Sequence, residues 1–148
     1  MPSTFLSLHY HVVFSTKQRE PMLRDDWRPR LHEYLGGTVN GLGARSEMVG
    51  GTANHVHLLF ELKATHTLAN FMRELKKASS MWVHNEIPLR NFAWQEGYAA
   101  FTVSASGLEE VRRYIENQEE HHHQRSFRDE LKIMLQRSGV KFGEKYLD

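Results

Sequence analysis

His55 and His57 are separated by one residue, so on an extended strand both imidazoles leave the same face while Val56 points to the other. Two imidazoles on one face can share a divalent ion, and the apolar run Leu58, Leu59, Phe60 would hold them in a buried strand. Standing alone, a His-x-His pair also fits structural or surface histidines. Tyr114 and Gln118 lie four positions apart, which on a helix puts a phenol and an amide on one face, about one turn from each other. The Tyr114 oxygen is a candidate nucleophile toward phosphorus, because a covalent phosphotyrosine preserves the phosphodiester energy for later rejoining. A phenol with an ordinary pKa of about 10 needs help to react at neutral pH. A tyrosine in an amphipathic helix can equally serve packing alone. Together the signals converge: a divalent ion held by two imidazoles and an amide oxygen polarises a phosphoryl oxygen as a Lewis acid. Mixed nitrogen and oxygen ligands suit Mn²⁺, and Mg²⁺ is accepted where water and phosphate oxygens complete the shell.

Such groups work only if regular elements aim them. Leu6, Leu8, Tyr10, Val12 and Phe14 alternate over residues 5–14, which predicts a strand with His9 and His11 on its opposite face. Trp27, Leu31, Tyr34 and Leu35 recur at helical spacing from about Asp25 to Leu42, with Gly36 and Gly37 expected to weaken or end that helix early. Residues 45–51 and 54–62 read as two strands of a hairpin joined around the Gly-Gly-Thr-Ala-Asn stretch. Leu68, Phe71, Met72, Leu75 and Trp82 mark an amphipathic helix from about Thr67 to Asn85. Tyr98 to Ser104 alternates as a fourth strand. Ser106 and Glu109 form a capping-box pattern opening a last helix to about Gln124, which carries Tyr114. The order βαββαβ plus a terminal helix predicts an α+β, ferredoxin-like antiparallel sheet with two helices on one face.

With 148 residues, 40% of them hydrophobic and 25% charged, the chain reads as one domain spanning 1–148. No apolar run approaches the roughly 18 residues of a membrane span, and no signal peptide is evident, so a cytoplasmic protein is expected. Zero cysteines exclude disulfides and thiolate metal sites, leaving N and O ligands. A net charge of +1 is too mild to announce nucleic-acid binding, so local clusters matter more. Lys17, Arg19, Arg73, Lys76 and Lys77 are the candidate phosphate contacts, while glutamates crowd the stretch around Tyr114. Trp82 reads as core; Trp94, beside Gln95, fits either core packing or stacking on an unpaired base. If the last helix persists, His121 or His122 falls near Gln118, where it can touch the metal or a phosphate.

Five blocks in order, YHVVFSTKQREP at 10–21, HVHLLF at 55–60, WQEGYAAFTVS at 94–104, YIENQEEHH at 114–122 and KFGEKYL near the end, resemble the IS200/IS605-type tyrosine transposases within the HUH single-strand endonucleases. The resemblance implies a DNA transposase that cleaves and rejoins single-stranded DNA at hairpin-bearing element ends. It implies Tyr114 as the nucleophile forming a 5′-phosphotyrosine link, and His55, His57 and Gln118 as ligands of a divalent metal, Mg²⁺ or Mn²⁺. A homodimer is implied as well, in which the tyrosine helix of some members completes the partner's site, with Gly107 as a candidate hinge. Two alternatives stand beside this reading: a domesticated relative that processes repeated palindromes, and a non-catalytic nucleic-acid-binding module on the same fold.

Overall fold

A computed structural model describes residues 3–147. Four strands, β1 (His9–Ser15), β2 (Arg45–Gly51), β3 (His55–Glu61) and β4 (Ala99–Val103), form one antiparallel sheet in the order β2-β3-β1-β4. Helix α1 (Arg28–Gly41) connects β1 to β2, and α2 (Leu68–Glu86) connects β3 to β4. This is the expected α+β, ferredoxin-like βαββαβ arrangement. Three further helices follow: α3 (Leu108–Glu116), α4 (Gln118–His121) and α5 (Phe127–Arg137). Among the described residues no helix is long and apolar enough to cross a membrane.

The core lies between one sheet face and the first two helices. Val12, Phe14, Val56, Leu58 and Phe60 meet Leu31, Leu35 and Val39 of α1 and Phe71, Met72, Leu75 and Val83 of α2. Each such side chain contributes about 1.5–3 kcal/mol by leaving water, enough to carry α1 through Gly36 and Gly37 to Gly41 rather than ending it early. The first strand starts at His9, not at residue 5, because both neighbours run out there: His9 faces Glu61 on one side and Val103 on the other. Phe5 and Leu6 beyond it are exposed. Trp94 belongs to the core, packed edge-on against Phe14 and Phe92, with its Nε1 donating to Ser79 Oγ at 2.9 Å. Trp82 packs half-buried at the edge of the core, stacked on Tyr34.

The capping box does not form. Gly107 is the N-cap of α3 without a side-chain cap, and Ser106 Oγ shares a hydrogen bond with Ser104 Oγ instead. Gly107 has φ −98°, a conformation open to any residue, so its backbone gives the hinge role no support. The tyrosine helix is also shorter than expected. It bends at Asn117, a poor helix-interior residue, resumes as α4 and ends at His121. Beyond the bend Gln118 lies almost fully buried, at 1% exposure.

Candidate active site

The second sheet face is polar and is covered by α3, α4 and α5. It is presented by the odd-numbered residues of β1 and β3, where His11 pairs across with Leu59, and Val13 with His57. His55 and His57 are fully buried at 0% exposure, and their rings meet edge-on with centroids 5.1 Å apart. Helix α3 can lie this close to the sheet because β2 offers a glycine: a Cβ on Gly50 would sit 2.7 Å from both Ile115 Cγ2 and the Ile115 carbonyl oxygen. At the hairpin turn Gly51 takes φ +149°, where a side chain would strike the His55 carbonyl. Arg28, itself buried, ties α1 to α4 by donating to Glu119 at 2.7 Å and to Asp25 at 2.8 Å.

Each histidine is oriented by a bond from its outer nitrogen. His55 Nδ1 lies 2.8 Å from Asn54 Oδ1 and 3.1 Å from Thr52 Oγ1, and the His55 ring stacks on Phe127 of α5 with centroids 4.1 Å apart. His57 Nδ1 bonds His11 Nε2 at 2.7 Å. The inner Nε2 atoms then turn toward a group that the sequence reading missed, the Glu130 carboxylate of α5, only 3% exposed. Its Oε1 lies 3.3 Å from His57 Nε2, 3.5 Å from His55 Nε2 and 3.0 Å from His122 Nε2. Its Oε2 accepts from the Tyr114 hydroxyl and, at 2.8 Å, from Gln118 Nε2. Gln118 Oε1 is 2.8 Å from His55 Nε2.

Tyr114, His55, His57 and Gln118 are therefore brought together within one chain. His121 stacks on the Tyr114 ring at 4.7 Å, and His122 reaches the cluster itself. A cavity of about 180 Å³ opens beside the phenol, lined by Tyr114, His121, His122, Gln124, Arg125 and Glu130. His9 lies apart from this group, held between Glu47 and Glu61 at 3.3 Å each.

Burial controls the protonation states. It holds His55 and His11 down at about 3, helped in each case by repulsion from His57, so both imidazoles stay neutral. Burial pushes the Tyr114 phenol well above its ordinary value, and its hydrogen bond to Glu130 adds to this. Burial alone would raise Glu130 as well, but hydrogen bonds from His122 and His57 outweigh it and hold the carboxyl far below the usual range. The donor set fits a cation. Acceptor oxygens lie 2.8 Å from both ring nitrogens of His55, Asn54 Oδ1 at Nδ1 and Gln118 Oε1 at Nε2, and a neutral imidazole has one N–H to share between them, so one nitrogen–oxygen pair is left without a proton. His55, His122 and Glu130 also place one ligand atom each within 4.8 Å of one another.

The basic candidates lie elsewhere. Arg73, Lys76 and Lys77 line one groove together with Trp94 and Tyr98. Lys76 Nζ donates to the carbonyls of Gln95, Glu96 and Gly97 at 2.5, 3.0 and 3.0 Å, and burial lowers it to about 8, so this ammonium is engaged within the chain. Lys17 is exposed on the turn after β1, and Arg19 sits over the Phe127 ring at 4.9 Å.

The site thus sets a buried His-x-His strand against a half-buried tyrosine on a βαββαβ sheet. Residues 4–118 match the family described as "Transposase IS200 like", and the chain belongs to that family. It is 25% identical over 117 residues to the ISDra2 transposase TnpA of Deinococcus radiodurans, covering 75% of this chain and 84% of that one. It is 26% identical over 115 residues to the IS200 transposase of Salmonella typhimurium, covering 74% and 75%. A crystal structure from Deinococcus radiodurans R1, described as a transposase, superposes with a TM-score of 0.64 at 25% identity, over 80% of this chain and 96% of that one. A REP-associated tyrosine transposase bound to a REP hairpin shares the fold, with a TM-score of 0.59 at 14% identity over 82% and 74%.

Proposed function

We propose that this chain cleaves and rejoins single-stranded DNA at hairpin-bearing element ends through a 5′-phosphotyrosine intermediate, using a divalent metal. The observation that carries this reading is the convergence, inside one chain, of the Tyr114 hydroxyl with His55, His57 and Gln118. Tyr114 attacks the scissile phosphorus, its oxygen bonds to the 5′ phosphate, and the 3′ hydroxyl leaves; the reverse attack by a 3′ hydroxyl rejoins the strand. Glu130 Oε2 holds the phenolic proton and fixes the direction of the oxygen. The small cavity beside the phenol, with Arg125 on its wall, is the place for the reacting phosphate. His55, His57 and Gln118 would hold Mg²⁺ or Mn²⁺, which when bound supplies Lewis-acid polarisation of a phosphoryl oxygen.

Lys17, Arg19, Arg73, Lys76 and Lys77 remain the proposed phosphate contacts. Arg73 and Lys77 are exposed to meet DNA directly, whereas Lys76 shapes the 95–97 loop beside them. The homodimer stays part of the proposal, in a form where each site draws its tyrosine and histidines from one chain, and so does the cytoplasmic setting. The fold shared with a REP-hairpin complex keeps the domesticated, palindrome-processing reading alongside as the second one. The decisive experiment incubates the protein and Tyr114→Phe with Mn²⁺ or Mg²⁺ and labelled hairpin DNA from its own locus, followed by a denaturing gel. A metal-dependent shifted band absent from the variant is expected. Cleavage persisting in Tyr114→Phe would move the reading to hydrolysis by water, and tight binding without cleavage in either protein would favour a non-catalytic module.

A further inference from the structure

The segment matching the family ends at Gln118, yet the centre of the polar cluster is Glu130, twelve residues beyond it on a separate helix. His55, His57 and Gln118 are all uncharged ligands, so until DNA brings a phosphate a divalent ion among them would have no anionic oxygen. Glu130 meets that need. Among the described residues its ion-pair neighbours are the imidazoles of His55, His57 and His122, with no lysine or arginine among them. Burying a carboxylate is costly, and here hydrogen bonds from His57, His122, Tyr114 and Gln118 keep it charged with no lysine or arginine among the described residues to neutralise it, which leaves an anionic oxygen for a cation to meet. Its two oxygens also face different ways: Oε1 toward three imidazole nitrogens at 3.0 to 3.5 Å, Oε2 toward the phenol and the Gln118 amide.

We propose that Glu130 is the anionic ligand of the metal through Oε1, with His122 beside it, while Oε2 keeps the Tyr114 hydroxyl in place. The inference rests on reading this cluster as a metal centre, and adds that His122 and Glu130, past the segment matched to the family, complete it. One side chain then sets both the charge of the site and the distance between ion and nucleophile. Phe127, one helical turn before Leu131 and stacked on His55, locks the register of α5 that brings Glu130 to this point.

The test is Mn²⁺ binding, read by electron paramagnetic resonance titration of free Mn²⁺ without DNA. Glu130→Gln keeps the size of the side chain and its acceptor oxygen but removes the charge, and its affinity should fall at least about tenfold. Glu130→Asp, charged but one methylene short, should fall between. Glu86→Gln, an equal loss of charge at an exposed position on α2, should bind as the parent does. Parental affinity in folded Glu130→Gln would overturn the proposal. His55→Ala separates the two levels: if it also binds Mn²⁺ normally, the metal-centre reading fails; if it alone loses Mn²⁺, only the role of Glu130 fails. Should Glu130→Gln not fold, a Mn²⁺-soaked crystal of the parent decides. Anomalous density within about 2.3 Å of Oε1 supports the assignment, and an ion on His55 and His57 with Glu130 left on the phenol alone refutes it.

Discussion

The two faces of the sheet are built from the same strands and differ in almost everything else. Along β3, Val56, Leu58 and Phe60 enter an apolar layer closed by α1 and α2, whereas His55 and His57, one step out of phase, enter a polar layer closed by α3, α4 and α5. The apolar side is held by area removed from water, which is non-directional and tolerant of small shifts. On the polar side, directed bonds between buried groups hold the layer, and there a missing partner leaves an unsatisfied donor or acceptor. Stability and chemistry are thus divided by the pleat of a single strand.

That division can be broken from either side. Tyr114→Phe should lower strand cleavage by more than about a thousandfold and cost about 1–3 kcal/mol of stability through the donor lost to Glu130, measured by gel assay and urea unfolding. Mixing Tyr114→Phe with His57→Ala chains should stay inactive, and recovery of cleavage in the mixture would show that sites are shared between chains. On the apolar face, Phe60→Ala should cost about 3–5 kcal/mol in urea unfolding while the surviving folded protein binds Mn²⁺ as before; a lost metal site would mean that the faces are not independent.

Acid should act on the polar face. His11 and His55 are held at about 3 when folded, against about 6.5 when unfolded. Between those values the unfolded chain binds more protons, so stability falls as pH falls from about 6.5 toward 3. Metal-free protein should lose about 2–3 kcal/mol between pH 7.5 and 5.5 from these two groups, and a flat stability profile over that range would refute neutral burial. Gly50→Ala should have the smallest effect, about 1–3 kcal/mol, accompanied by reduced cleavage, because the added methyl pushes Ile115 and with it the tyrosine helix away from the sheet. Unchanged cleavage would show that α3 can shift without disturbing Tyr114.

How much of this was legible followed from the kind of signal. The apolar run Leu58, Leu59, Phe60 behind a glycine-bearing turn exposed the third strand, and alternation at Tyr10, Val12 and Phe14 exposed the first, because a half-buried strand must alternate. The histidine pair and the Tyr114–Gln118 spacing were visible for the same geometric reason. Glu130 was not, since one acidic residue in a charged stretch looks like solvated surface. The clue was its position: Phe127, Leu131 and Leu135 recur at helical spacing behind the cap Ser126, whose Oγ accepts from Asp129 N, and Glu130 lies beside that stripe. The start of β1 at His9 depended on tertiary partners, which local pattern does not encode, and the bend at Asn117 rests on one poor helix former that periodicity passes over.

The last strand of the sheet ends at Val103, and every group that closes the polar face comes after it. A ribosome thus makes all four strands, with His55 and His57 on them, before it makes Tyr114 and Glu130. A chain cut after Val103 would therefore carry all four strands and both of these histidines, yet neither Tyr114 nor Glu130.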